Sequence, residues 1–170
     1  MLARIFGGNK MKTIPVGKYI ALVDDQDYEI LKGYSWRPVA GINTMYACTN
    51  IKDQDGKYKT YGMHRMILGL TDSNILADHK DLNGLNNQRY NLRVADHSQN
   101  CNNKSLAPDN KTGYKGVSHY YLDKNRFVAQ VKKDKKSYYL GIFNTKEEAA
   151  IAYDLKAKEL FGEFAYLNFP

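Results

Sequence analysis

The chain has 170 residues, of which 25 are Lys or Arg and 18 are Asp or Glu, giving a formal charge of +7. This length fits one ordinary domain or two small ones, and the positive charge favours an anionic partner such as nucleic acid. The two cysteines have no paired spacing, no apolar run is long enough to cross a bilayer, and "MLARIFGGNK" lacks the features of a signal peptide; we therefore expect a soluble protein of a reducing cell interior, with no membrane partner and no structural zinc site.

The first sixty residues predict a small α+β front end. Residues 1 to 10 are expected to be an extension with little structure of its own, because Met11 opens a segment that reads like a natural beginning. Val16 to Val23 predicts a strand, and "DDQDYEILKGY" predicts a short helix ended by Gly33. Two further strands, "TMYACTNI" and "KYKTYGMH", alternate around the turn signal Asp55-Gly56.

An acidic residue beside a histidine marks the next segment, "ILADHKDLNGLNNQRYNLRVADHSQNCNN". Asp78 and His79 end an apolar run, so both side chains can lie at the end of a strand. Asp96 to Gln99 has the form of a capping box, which places Asn100 near the first turn of a helix. The predicted order is strand, loop, strand and helix, over residues 74–79, 82–87, 91–94 and 97 onward.

This arrangement suits the hydrolysis of a phosphodiester bond, which needs a base for the attacking water and a cation for the developing charge. His79 supplies a base. Asp78 and Asn100 offer hard oxygen ligands of the kind that Mg²⁺ or Mn²⁺ accepts while it keeps several waters. Taken alone, an Asp-His pair is more often a surface or capping feature.

The order of these residues resembles the HNH endonucleases of the ββα-metal class, especially the phage and intron homing enzymes. The resemblance rests on His79, "DLNGLNN", Asn91-Leu92 and Asn100, with the upstream "MHR", "VDDQDYEIL" and "YSW", and it covers about residues 11 to 103. It departs from the usual pattern at Leu82 and in having few basic residues within the segment.

The resemblance implies a role for each matching residue. His79 is expected to be the general base, Asp78 and Asn100 to hold a divalent metal, and Asn91 to brace the loop that orients His79. His64 and Arg65 are expected near DNA, with packing an equally open reading for His64. His97 ranks below His79 as a base, because the first turn of the helix favours solvent or phosphate as its neighbour.

The rear of the chain predicts a second, smaller domain. "NNKSLAPDNKTG" is polar and contains Pro108, so residues 104 to 112 predict a linker. Three short strands are predicted over residues 114–121, 126–132 and 137–141. Thr145 to Glu148 then has the form of a capping box, and the helical spacing beyond it runs to Gly162. A three-stranded antiparallel sheet packed on one helix is expected.

A basic strip coincides with this sheet. Residues 104 to 144 carry nine basic and three acidic side chains, interleaved with tyrosines. Because alternate residues of a strand share a face, one side of the sheet can pack on the helix while the other offers cations and aromatic rings. A solvated sheet with core tyrosines is about as plausible from composition alone.

The motifs "YKGVSHYY", "LGIFNTKEEAAIAYD" and "LNFP" resemble the Apetala-type (ethylene-response-factor) DNA-binding domain over about residues 113 to 170. In that family the sheet enters the major groove. By matching position, the residues expected to face DNA are Lys115, Ser118, Gln130, Lys132 and Tyr139; Arg126 and Lys136 are added on charge alone. Arginines usual in the plant proteins are replaced here by Ser118 and Tyr120, so the GC-rich preference of those proteins is not expected.

The sequence thus predicts an α+β protein with a nuclease domain over residues 11–103, a linker over 104–112 and a DNA-binding domain over 113–170. The expected function is metal-dependent, homing-type cleavage of double-stranded DNA, with no small-molecule substrate and no organic cofactor, in a protein encoded by a phage or mobile element and acting in the host cytoplasm. The alternative is a DNA-binding regulatory or architectural protein with an inactive HNH scaffold, and a zinc-binding structural protein is a distant third. Target sequence, oligomeric state, and nicking versus double-strand cleavage are left open.

Overall fold

A computed structural model describes residues 10–96, 99–100, 103, 106 and 109–170. The chain divides into two compact units, the first ending at Asp96 and the second ending at Pro170. Both contain small antiparallel sheets and few helices, which confirms the α+β prediction. Most of the predicted N-terminal extension, part of the predicted linker, and residues 97 and 98 lie outside the described residues. The predictions for the extension, for His97 and for the capping box at Asp96 to Gln99 therefore stay predictions.

In its described part, residues 10–96, the first unit has seven strands and two short helices. They are β1 (Met11–Val16), β2 (Tyr19–Asp24), α1 (Asp25–Leu31), β3 (Arg37–Ala40), β4 (Met45–Lys52), β5 (Tyr58–Gly62), α2 (Met63–Ile67), β6 (Leu76–His79) and β7 (Leu92–Ala95). β1 pairs with β2, β3, β4 and β5 form one sheet in that order, and β6 pairs with β7.

The single strand predicted over Val16 to Val23 is wrong, because a hairpin turn interrupts it. Gly17 has φ of +59°, a left-handed conformation that glycine adopts readily. The chain reverses there, and Val16 pairs with Tyr19 across the turn. The apolar run therefore belongs to two strands, each of which contributes buried valine or alanine to the core.

The two strands predicted around Asp55-Gly56 are confirmed as β4 and β5. A third strand, β3, pairs with β4 on its other side and was not predicted. It has four residues and includes Pro38, so its apolar alternation is too short to recognise. The core of this unit is formed by Trp36 and by apolar residues of β1, β2, α1, β4, α2 and β7: Ile14, Val16, Ala21, Val23, Leu31, Ala47, Met63, Ile67 and Leu92.

The front hairpin holds the loop between β6 and β7. Leu22 donates its N–H to Leu85 O at 2.8 Å and accepts from Asn87 N at 2.7 Å. Arg89 donates its backbone N–H to Asp24 Oδ2 at 2.8 Å, and its guanidinium donates to both carboxylate oxygens of Asp27 at 2.8 and 2.7 Å. Residues far apart in sequence thus fix the loop that comes after His79.

The second unit is the predicted three-stranded sheet with one helix. Its described elements are β8 (Val117–His119), β9 (Phe127–Lys133), β10 (Lys136–Phe143), α3 (Lys146–Phe161) and a 3₁₀ turn (Gly162–Phe164), and the sheet order is β10-β9-β8. The capping box is confirmed, since Thr145 Oγ1 accepts from Glu148 N at 3.2 Å and Glu148 Oε2 accepts from Thr145 N at 3.3 Å.

Small residues let α3 lie close to the sheet. Ala149, Ala150 and Ala157 are fully buried against it. Gly116, with φ of +72°, packs so tightly that an added Cβ would lie 1.9 Å from Tyr153 Cδ2. The carboxylate of Asp154 accepts from the backbone N–H groups of Asn168 and Phe169, which anchors the last residues of the chain to the helix. Within the described part of the chain, no helix has the length and apolar character that crossing a membrane requires.

Candidate functional site

Asp78 and His79 end β6 as predicted, and both are buried, with 5% and 4% of their surface exposed. Asp78 lies opposite Arg93 in the pairing of β6 with β7. Arg93 Nε and one terminal nitrogen donate to Asp78 Oδ2 at 2.7 and 2.6 Å. The carboxylate is therefore held by a guanidinium that is itself almost fully buried.

The His79 ring is oriented by Asn87, a fully buried residue of the loop between β6 and β7. His79 Nε2 lies 3.3 Å from Asn87 Oδ1. An amide oxygen only accepts hydrogen bonds, so this contact requires the proton on Nε2 and leaves the lone pair of the neutral ring on Nδ1. The tautomer is the one in which Nδ1 can serve as a base.

Two further rings pack on the His79 imidazole. Its centroid lies 5.1 Å from that of His64 and 5.8 Å from that of Tyr46, and the Tyr46 and His64 rings are 5.5 Å apart. Glycine is needed beside them, because a Cβ at Gly84 would lie 2.7 Å from the Tyr46 ring. We call Tyr46, His64 and His79 the three-ring cluster.

Burial keeps both histidines neutral. It lowers the pKa of His79 below its usual range, although the hydrogen bond to Asn87 and the charges of Asp81 and Asp78 oppose the shift. Burial, with the nearby His79 and Arg65, lowers the pKa of His64 to about 3. His64 Nδ1 is buried and has no hydrogen-bond partner among the described residues. A neutral imidazole is the form that can accept a proton from water.

Asn91 ties together the loop between β6 and β7, and the role in catalysis that the resemblance implies for it stays a prediction. Its Nδ2 donates to Asp81 Oδ1 and to Asn86 O, both at 2.8 Å, while its Oδ1 accepts from Asp81 N at 3.0 Å. Asp81 Oδ2 also accepts from Asn86 Nδ2 at 2.7 Å. A single buried amide thus ties together the start and end of the loop that carries Asn87.

Leu82, the departure from the family pattern, has φ of +63° in this loop. A residue with a Cβ loses about 1–2 kcal/mol in the left-handed region. The hydrogen bonds made by Asn91 and Asp81 on either side hold the backbone in that conformation. The loop therefore keeps its course despite a residue that is ill suited to it.

Asn100, the second expected metal ligand, belongs to the second unit, where it is helical and partly buried. Among the described residues, no group of three or more His, Cys, Asp or Glu side chains is placed to hold a metal ion. The two expected ligands supply a carboxylate and an amide oxygen, a donor set that fits the hard, water-retaining Mg²⁺.

Arg65, expected near DNA, makes contacts within its own unit. Its guanidinium donates to Ile75 O and Asp72 O, each at 2.6 Å. These bonds fix the turn that leads into β6. The Arg65 side chain is therefore held by the segment that precedes β6. His64, its neighbour on α2, packs in the three-ring cluster.

The second unit presents several of the expected DNA-facing residues on one face of its sheet. By strand alternation, the face opposite α3 carries Ser118, Gln130, Lys132 and Tyr139, and Tyr139 is 64% exposed. Gln130 and Tyr139 are directly paired, and Lys132 pairs with Ser137. Arg126 is exposed immediately before β9. Amide, hydroxyl, ammonium and phenol groups thus share a surface three strands wide.

Lys115 and Lys136 are not on that face. Lys115 precedes β8, donates its N–H to Asn168 Oδ1 at 2.7 Å, and places its ammonium 4.9 Å from the centre of the Tyr166 ring. Lys136 alternates with the outward residues of β10, and its ammonium lies 5.1 Å from the Tyr138 ring centre. Lys115 was expected to face DNA by matching position and Lys136 on charge alone, and both contacts with DNA stay predictions.

The chain is similar to proteins of two kinds. It is 40% identical over 111 residues to an uncharacterized HNH endonuclease of Acanthamoeba polyphaga mimivirus, a match that covers 62% of this chain and 56% of that protein. It is 34% identical over 87 residues to dehydration-responsive element-binding protein 2D of Arabidopsis thaliana, which covers 49% of this chain and 41% of that protein.

A second Arabidopsis thaliana protein, an ethylene-responsive transcription factor, is 42% identical over 59 residues, covering 34% of this chain and 32% of its own length. No protein-family profile matches the chain. The chain thus spans between about a third and just over half of the length of these relatives. These relatives are of the two kinds that the sequence resembles, an HNH endonuclease and DNA-binding transcription factors.

Sequence reasoning missed three residues that shape the site. Asn87 stands within the "DLNGLNN" motif, whose run of asparagines signals a hydrogen-bonded loop but not which amide meets His79. Arg93 comes after Asn91-Leu92, and the strand pairing is needed to place it opposite Asp78. Tyr46 lies on β4, well upstream in the chain, and nothing local to its sequence connects it with His79.

Proposed function

We propose that the chain is a metal-dependent DNA endonuclease of the homing type, encoded by a phage or mobile element, with a cutting unit followed by a DNA-binding unit. The observation that carries this proposal is the buried, neutral His79, whose Nε2 contacts Asn87 and whose ring packs on Tyr46 and His64. The similarity to an HNH endonuclease of a virus supports it.

In the proposed reaction His79 Nδ1 accepts a proton from the water that attacks the phosphodiester phosphorus. Asn87 keeps the other ring nitrogen protonated, so Nδ1 stays the basic atom. Asn91 acts through the loop, since it fixes Asp81 and Asn86 rather than the ring itself. Hydrogen bonds that fix the ring before the substrate binds reduce the entropy that would be lost on ordering the ring during the reaction.

Asp78 and, from the sequence spacing, Asn100 would hold the divalent cation, with Mg²⁺ or Mn²⁺ the expected metals. A cation there supplies electrostatic stabilisation of the charge on the phosphate and the leaving oxygen. Arg93 already neutralises Asp78 within the protein. The carboxylate is consequently held in place at the strand end beside His79.

The second unit is proposed to bind double-stranded DNA through the sheet face that carries Ser118, Gln130, Lys132 and Tyr139. Its similarity to two plant transcription factors supports this assignment. A tethered binding unit raises the concentration of the cutting unit near a bound site, typically to the millimolar range for a short linker. Binding by one unit would then select where the other cuts.

The test uses supercoiled plasmid with the full chain and MgCl₂ or MnCl₂. We expect conversion to nicked or linear DNA, and none with EDTA. His79→Ala and Asn100→Ala should abolish cutting while a gel-shift assay still detects DNA binding. Asn74→Ala, an exposed residue of the turn before β6, serves as the matched amide control and should cut normally. Cutting at the unchanged rate by the His79→Ala protein would overturn the proposal.

A second candidate function is DNA-binding regulation by a protein whose HNH scaffold is inactive. The similarity to two transcription factors favours it. The same plasmid assay separates the two functions, because a regulator recovers intact supercoiled DNA equally with Mg²⁺, with Mn²⁺ and with EDTA. The complete set of Asp78, His79, Asn91 and Asn100 favours the enzyme.

A further inference from the structure

A cleft of about 520 Å³ runs along the free edge of β8 in the second unit. Its walls are β8 itself and the residues Asp109, Asn110, Lys111, Thr112 and Lys124. β8 is an edge strand, since the sheet order is β10-β9-β8. The cleft therefore borders the proposed DNA-facing surface, with which it shares Ser118.

The wall before β8 is ordered by its own hydrogen bonds. Asn110 Oδ1 accepts from Thr112 N at 3.1 Å and from Gly113 N at 2.7 Å, and Asn110 Nδ2 donates to Tyr114 O at 2.9 Å. Thr112 is buried, and its hydroxyl lies 3.0 Å from Val117 O. Because these residues are already ordered, they lose little conformational entropy when a ligand binds.

The strand edge supplies a backbone donor to the cleft. Gln130 N donates to Gly116 O at 2.9 Å and Tyr120 N donates to Arg126 O at 2.8 Å. In an antiparallel pair the backbone groups of successive residues point alternately toward and away from the partner strand, so the backbone N–H of His119 points away from β9. The His119 ring packs on that of Phe127, with 5.0 Å between the ring centres, and its Nδ1 lies 2.9 Å from Lys124 O.

The charge of the cleft is positive. Lys111 and Lys124 are exposed at its walls, and Asp109 is the one acidic side chain among the described residues that line it. The cleft thus combines two lysine side chains with the backbone N–H of His119, and phosphates are bound in proteins by backbone N–H groups together with lysine.

The width of the sheet places this edge near a phosphate backbone. Three strands spaced about 4.8 Å apart span about 10 Å, and the major groove is about 12 Å wide. A sheet of this width that lies in the groove has its edge strands next to the two sugar-phosphate chains. We propose that the cleft binds one backbone phosphate of the duplex through Lys111, Lys124 and the His119 N–H. This inference rests on the proposed binding of DNA by the second unit.

The test measures the affinity of the full chain for a mixed-sequence duplex over a range of salt concentrations. Each phosphate contact contributes about −0.9 to the slope of log K against log salt. For Lys111→Ala/Lys124→Ala we expect a slope shallower by about one contact. Lys146→Ala/Lys158→Ala, which removes the same charge from exposed positions of α3, should keep nearly the full slope.

A second measurement records the His119 amide by ¹⁵N NMR. We expect the duplex to shift this amide in the wild type and not in the cleft variant. Equal slopes for the two double variants would overturn the cleft assignment and leave DNA binding intact. A shift caused by inorganic phosphate but not by duplex would also overturn it, by making the cleft a site for a free anion. A wild-type chain that binds no duplex would instead refute the proposed function of the second unit.

Discussion

Arg93 and Asp78 face each other across two paired strands, and two nitrogens of the arginine donate to one oxygen of the aspartate. Both side chains are less than a tenth exposed. A buried carboxylate without a partner would be protonated or would destabilise the fold. The pair therefore gives Asp78 a structural function in addition to its proposed contact with a metal.

Removing Asp78 should destabilise the first unit. Breaking a buried ion pair from one side typically costs about 3–5 kcal/mol, because the remaining charge stays buried. We expect Asp78→Ala to lower the free energy of unfolding by this amount. Asp78→Ala/Arg93→Met should lower it by clearly less than the sum of the two single changes. Urea unfolding, monitored by the fluorescence of Trp36, the one tryptophan of the chain and a buried residue of this unit, measures both.

The control for this cycle is Lys12→Ala, which breaks an exposed ion pair with Asp25 in the same unit. Exposed pairs contribute less than about 1 kcal/mol. An additive double variant at Asp78 and Arg93 would show that the two side chains do not stabilise one another.

Asn87→Ala should slow cutting without weakening DNA binding. The change removes the acceptor of His79 Nε2, so the ring loses the bond that orients it and selects its tautomer. Small displacements of a catalytic group can cost about a hundredfold in rate. We expect kcat to fall between about tenfold and a hundredfold, and the dissociation constant for DNA to stay the same. An unchanged kcat would show that the hydrogen bond to Asn87 is not needed to orient His79.

Acid should weaken the first unit through His64. Its pKa is lowered from 6.5 to about 3 in the folded chain, so the unfolded chain binds a proton between these values that the folded chain excludes. The stability due to neutral His64 is therefore complete above about pH 6.5 and is lost as pH falls toward 3. The lowered pKa of His79 acts in the same direction.

The variant His64→Phe keeps a ring in the cluster and removes the titrating group. We expect the free energy of unfolding of the wild type to fall more steeply than that of His64→Phe between about pH 6.5 and about pH 4. Unfolding curves at several pH values provide the comparison. An equal fall of the free energy of unfolding with pH in the two proteins would show that other groups account for the acid sensitivity.

The strongest local patterns in the sequence predicted structure well. The capping box at Thr145 forms the hydrogen bonds that its motif predicts, and the apolar run before Asp78 forms a strand. Both patterns could be recognised because each is complete within a few residues. The Val16 to Val23 run failed because alternation does not reveal a glycine turn inside it. Tyr46, Asn87 and Arg93 could not be placed, since their contacts with the Asp78-His79 pair depend on how strands and loops pack in three dimensions.

Gly116→Ala should unfold or severely destabilise the second unit. The new Cβ would overlap the Tyr153 ring at 1.9 Å, and alanine would have to adopt φ of +72°. Overpacking and backbone strain each cost about 1–3 kcal/mol. Gly113→Ala is the matched control, because Gly113 has φ of +78° with nothing within 4 Å of the added Cβ. It should show the backbone cost alone, about 1–2 kcal/mol. Thermal unfolding recorded by circular dichroism measures both, and equal midpoints would contradict the close packing.

The hydrogen bonds that join Leu22, Asp24 and Asp27 to the loop after His79 make the front hairpin and α1 part of the support of the proposed site. A fragment cut down to the motif, starting near Tyr46, would retain each side chain assigned to chemistry in the first unit. It would lose the surface against which residues 85 to 89 are held, and with it the fixed position of Asn87. Any shortened chain meant to keep the proposed site therefore has to begin no later than Lys10, whose carbonyl oxygen accepts from Asp25 N at the start of α1.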